Sequence, residues 1–189
     1  MLTIMNTDSD YLLTYAYQIS SGRLVYAAPL PDEPLDFYAV FGDADATTRT
    51  AVLRSAICSG LHITVTPKRA QTKVYVLKPT ATSGKPMPPP VWNNKSWQNY
   101  WDGKLTAFNS NMDQLAAALE QPLGAPVINE SGVSGKFDLE LEFARKDVAG
   151  TRAALLKALG VDLIEEQRTM DLLEVTPLPE TKPEAPASH

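Results

Sequence analysis

The sequence predicts an α+β protein made of two tandem β-α-β-β-α-β-β modules. Each module is a small mixed sheet with two helices packed on it. Three observations carry this reading. A pattern near the N-terminus returns 103 residues later: Leu2, Thr3, Asn6, Asp10 and Leu12 match Leu105, Thr106, Asn109, Asp113 and Leu115. Apolar residues alternate strictly with charged ones from Lys136 to Phe143, the period of a strand with one buried and one wet face. A segment rich in Pro and Trp separates two stretches of similar length. These set the boundaries at 1–79 for the first module, 80–103 for a linker, 104–178 for the second module and 179–189 for a disordered tail.

Each module opens with a short strand, then Asn and a cluster of Ser, Thr, Asp and Asn suited to a helix N-cap. The helices follow from i, i+3, i+4 spacing: Leu12, Tyr15 and Ala16 in the first, Leu115, Ala118 and Leu119 in the second. Two strands come next, at 23–28 and 36–42 in the first module and at 125–130 and 136–143 in the second. A second helix spans 47–60 and, in the other module, 149–160. Gly60 and Gly160 are placed to cap these helices. Each module closes with two strands, 61–67 with 73–79 and 161–167 with 171–177. KRAQT and RTM read as the turns of hairpins.

Composition restricts the function. The single cysteine leaves no internal disulfide and no cysteine-rich zinc site, and two histidines leave little scope for transition-metal binding. The net charge of −5, with no basic stripe, argues against nucleic acid. That charge is concentrated in residues 109–189, with seven basic and fourteen acidic side chains. A solvated acidic face accounts for it. No apolar run approaches the roughly 18 residues of a membrane span. Met1 is followed by neither a basic nor an apolar leader region, so no signal peptide is expected in this chain.

Local motifs fail as catalytic or metal sites. Gly132-Val-Ser-Gly-Lys-Phe has Glu130 where a phosphate loop needs its first Gly, and Phe137 where it needs Ser or Thr. Gly60 should end the helix between Cys58 and His62, which separates a nucleophile from a base. Asp8, Asp10, Asp43 and Asp45 suit caps and turns better than a calcium loop. No catalytic residue, cofactor or metal ligand is therefore assigned. The remaining candidates are aromatic: Trp92, Trp97, Tyr100 and Trp101, within ten residues of the linker. They suit either a stacking platform for sugar, peptide or protein, or a clamp between the modules.

Two resemblances rest on these elements. In each half, a leucine-patterned helix, a strand, a second Leu-rich helix ending in Gly and a closing strand pair resemble the secretin and TonB short N-terminal domain. In the second half the carriers are Leu115-Ala116, Gly132 to Leu139, and Ala154-Leu-Leu-Lys-Ala-Leu-Gly160. Over residues 2–178 the chain also resembles a soil-associated bacterial family defined by a domain of unknown function. The carriers there are Tyr11 to Tyr17, Val52 to Ile63, Val74 to Leu77, Met112 to Ala116, Pro126 to Ile128 and Gly132 to Leu139. The resemblance implies a periplasmic or otherwise extracytoplasmic setting and transfers no catalytic residue. The expectation is a non-enzymatic binding or protein-interaction module of the bacterial cell envelope. Its partner would be a protein, a peptide or another envelope component, met through strand edges or the aromatic linker. Two alternatives stand beside it. One is a hydrolase using carboxylates such as Asp138, Glu140 and Glu142 near the linker groove. The other is a structural adaptor detached from a larger sensor.

Overall fold

The computed structural model describes residues 2–30, 33–81, 89–91 and 95–179. Trp92 and the tail from 180 onward lie outside the described residues. The fold is mixed α+β. In chain order the elements are β1 (Leu2–Thr7), α1 (Ser9–Tyr17), a short 3-10 turn (Ser21–Arg23), β2 (Leu24–Tyr26), β3 (Leu35–Ala39), α2 (Ala46–Gly60) and β4 (Ile63–Pro79). Then follow β5 (Trp97–Trp101), β6 (Lys104–Ser110), α3 (Met112–Leu123), β7 (Val127–Asn129), β8 (Phe137–Glu142), α4 (Val148–Leu159) and β9 (Val161–Pro177). Among the described residues the strands form three sheets, ordered β1-β3, β2-β9-β4-β7 and β5-β6-β8. Strand β7 pairs parallel to β4, with Tyr75 opposite Val127, whereas β1-β3, β5-β6 and β6-β8 are antiparallel.

The structure corrects three sequence readings. Residues 61–79 and 161–177 are not hairpins: β4 and β9 are single strands of 17 residues each. KRAQT and RTM contain no Gly, Pro, Asn or Asp to bend the chain, and their side chains alternate between exposed and half-buried, as on a strand. Helix α2 is capped at Leu61 rather than Gly60, and the left-handed residue is His62 (φ 52°). Gly160 does cap α4, with φ 65° and its N–H on Leu156 O. Residues 97–101, read as linker, are strand β5.

The helix starts follow from their caps. Asp8, Asp45 and Asp147 each accept a backbone N–H at the third residue of α1, α2 and α4. Asn111 and Gln114 form a reciprocal capping box on α3.

The chain divides into two compact units. The first draws on residues in Met1–Gln18, Val25–Lys68 and Leu173–His189, the second on Ile19–Leu24 and Arg69–Leu172. The first unit buries Leu12, Leu13, Ala16, Leu53, Ile57, Ile63 and Val175. The second has a larger core, in which Leu105 and Ala107 of β6 and Phe137 and Leu141 of β8 meet Leu115 and Leu119 of α3 and Leu155 and Leu159 of α4. Val74, Tyr75, Val76 and Leu77 of β4 are all buried, as expected of a strand covered on both faces.

Candidate functional site

The aromatic candidates converge on one sheet of the second unit. Strand β5 follows the alternation of a half-buried edge strand: Trp97, Asn99 and Trp101 are exposed, Gln98 and Tyr100 half-buried. Tyr100 faces the core, where its ring stacks on Phe143 at 5.3 Å and its hydroxyl donates to Phe143 O at 3.0 Å. The tryptophans face the other way. Trp97 is 50% exposed and Trp101 77%.

Register fixes what surrounds them. Trp97 lies opposite Phe108, Asn99 opposite Thr106, and Trp101 opposite Lys104. The Trp97 and Phe108 rings stack at 5.8 Å, which holds one edge of the platform rigid. On β8, Glu140 lies opposite Thr106 and Glu142 opposite Lys104. The wet face therefore carries two indoles and a phenyl ring on one side and carboxylates on the other. Lys104 Nζ meets Glu140 at 2.8 Å, and this hydrogen bond raises the lysine pKa. Along β5 and α3 runs a shallow cleft of about 350 Å³, lined by Tyr100, Ala117, Ala118 and the amides of Gln98, Asn99, Gln114 and Gln121. It contains no carboxylate.

The carboxylates proposed for hydrolysis have other uses. Asp138 accepts the N–H of Asn109 through Oδ1 and that of Val91 through Oδ2, both at 2.8 Å. Glu140 is paired with Lys104, and Glu142 is exposed on the same strand face. Among the described residues no group of three or more His, Cys, Asp or Glu side chains is arranged to hold a metal. No helix among them is long and apolar enough to cross a membrane. Cys58 Sγ lies 3.4 Å from the Tyr17 hydroxyl, and the Arg54 guanidinium stands 4.6 Å over the Tyr17 ring. Burial, then the Cys58 contact, pushes the Tyr17 phenol up to about 12.

One residue of consequence was missed. Glu120 is 1% exposed. Its carboxylate accepts from the Ser20 hydroxyl, from Arg23 Nε at 3.3 Å and Nη2 at 3.2 Å, and from Val127 N at 3.2 Å. These donors bind residues 19–24 to α3 within the second unit. Gly22 is needed there, since a Cβ on it would stand 2.7 Å from the Ala125 carbonyl carbon. In sequence Glu120 looks like any carboxylate on an amphipathic helix, and its donors Ser20 and Arg23 are about a hundred residues away.

The two units share fine detail. The register of β1 on β3 shifts between Ile4 and Thr7, and that of β6 on β8 shifts between Ala107 and Ser110. Inside each shift an asparagine takes left-handed backbone angles, Asn6 at φ 50° and Asn109 at φ 46°. Each donates its N–H to an aspartate on the neighbouring strand at 2.8 Å, Asn6 to Asp36 and Asn109 to Asp138.

No curated protein matches this chain, and no solved structure does. A family model does match, over residues 10–177, which is most of the chain. The chain thus belongs to DUF3738, a family described as proteins of unknown function.

Proposed function

We propose that the protein is a non-enzymatic binding module of the bacterial cell envelope, taking a protein or peptide on the aromatic face of β5-β6-β8. One observation carries the reading: Trp97 and Trp101 stand exposed together on the same face of one strand. Indole rings left in water at this density are costly unless a partner covers them. Indole is also the side chain that most often dominates binding energy where it is covered. Asn99 on β5, Lys104 on β6 and the carboxylates of Glu140 and Glu142 on β8 supply polar contacts around an apolar centre on that same face. The envelope setting rests on the extracytoplasmic location that the resemblance to the bacterial family defined by a domain of unknown function implies. The matched strand shifts and the Asn6–Asp36 and Asn109–Asp138 hydrogen bonds support an origin by internal duplication.

The test is recovery of partners from envelope extract by the intact chain and by a Trp97→Ala/Trp101→Ala variant with unchanged circular dichroism. The reading expects a discrete partner held by the intact chain and lost by the variant. Equal recovery by both would remove the aromatic face from the account.

A further inference from the structure

The second unit shows what belongs beside β1. Strand β6 is paired on one side with β8 and on the other with β5. Among the described residues β1 is paired with β3 alone. The shared shift and the shared asparagine align the two strands residue by residue: Ile4 lies opposite Phe37 as Ala107 lies opposite Leu139, and Leu2 opposite Ala39 as Leu105 opposite Leu141. On that alignment Met5 occupies the place of Phe108. Phe41, two residues beyond Ala39, occupies the place of Phe143, two beyond Leu141.

The two sheets also differ in burial. Leu105, Ala107, Phe137 and Leu141 are buried, whereas Leu2, Ile4, Leu35 and Ala39 are only half-buried. Phe143 is buried under Tyr100, and Phe41 is half-buried. Met5, the counterpart of the residue on which Trp97 stacks, is 61% exposed. Free strand edges are ordinarily blunted with charge or proline. The sequence of β1, LTIMNT, contains neither, and its bulge does not prevent addition, because β6 has the same bulge and is covered.

We propose that the free edge of β1 receives an extended segment of a partner protein by antiparallel strand addition. The segment is uncharged and has an aromatic-x-x-aromatic pattern. The template is β5, in which Trp97 and Tyr100 are three apart, one stacking on Phe108 and the other on Phe143. In the added strand the first aromatic stacks on Met5, a favourable sulfur–aromatic contact, and the second covers Phe41. Main-chain hydrogen bonds supply affinity and the two rings supply selectivity. This inference concerns the first unit and goes beyond the aromatic face of the second.

The probe is a synthetic, fluorophore-tagged peptide of residues 96–101, SWQNYW, capped at both ends so that it carries no charge of its own. It is titrated into the full chain carrying Trp97→Ala and Trp101→Ala, so that loss of the aromatic face and loss of this edge are separate results. Saturable binding is expected, with a paramagnetic tag on the peptide broadening amide resonances of β1. Met5→Lys should weaken it at least about tenfold by placing charge on the edge. Backbone N-methylation of alternate peptide residues keeps the test valid even if that variant is poorly folded. One of the two alternating sets should abolish binding and the other leave it within about threefold, because only every second residue bonds across an antiparallel pair. Equal effects of the two sets would overturn the proposal. So would broadening at β6 or β8 instead of β1, an absence of binding, or self-association of the chain through β1.

Discussion

Among the described residues strand β6 is flanked by β5 and β8, while β1, with the same bulge and the same left-handed asparagine, is flanked by β3 only. The two stretches differ in burial more than in sequence. Leu-Thr opens β1 and follows Lys104 in β6, yet Leu105 is 1% exposed and Leu2 is half-buried. Leu105 belongs to the larger core with Leu115, Leu119, Leu155 and Leu159 of α3 and α4, and its strand has a neighbour on each side. The lesson is that two nearly equivalent pieces of sheet differ in their neighbours: one carries a further strand with indoles on its face, and the other has no second neighbour among the described residues.

Matched substitutions sharpen this contrast. Leu105→Ala should cost about 3 kcal/mol or more, because it empties a fully enclosed site in the core that β6 and β8 share with α3 and α4. Leu2→Ala should cost about 1 kcal/mol, since its side chain already meets water. Urea unfolding of the two variants checks the difference, and equal costs would break the comparison. A slightly smaller effect is expected at Glu120, which has no carboxylate counterpart in the first unit: Tyr17, 103 residues earlier, holds the equivalent place on α1. Glu120→Ala strands the Ser20, Arg23 and Val127 donors and should cost about 2 to 3 kcal/mol. That lies at or just below the roughly 3 to 5 kcal/mol of a fully buried pair, because Arg23 remains about one-third exposed. Glu120→Gln, which keeps the acceptor oxygen, should recover part of that loss in the same unfolding measurement.

Much of this was legible in the residues. The alternation from Lys136 to Phe143 gave β8, and the Asp and Asn caps gave the helix starts, because both are local signals. The Leu-Thr-x-x-Asn pattern marked the asparagine later found in the left-handed conformation, although the sequence did not reveal the bulge it serves. Strands β4 and β9 were read as hairpins because KRAQT and RTM are polar on both faces. The absence of any turn-forming residue there was the available signal against a bend. The sequence favoured burial of Trp97 and Trp101, since a tryptophan-rich stretch between two modules reads first as a clamp and second as a platform. The direction of β5 settles it, by turning Tyr100 inward and both indoles outward. Glu120 was beyond reach, because its burial depends on partners distant in the chain.

The most direct measurement is amide hydrogen exchange, compared residue by residue between β1 and β6 in the intact chain. In β6 every amide should be slow, because β8 bonds one set and β5 the other. In β1 only the set facing β3 should be slow, and the alternate amides should exchange on the time scale of open backbone. Uniform protection along β1 would show that its edge is already occupied, and would contradict the account.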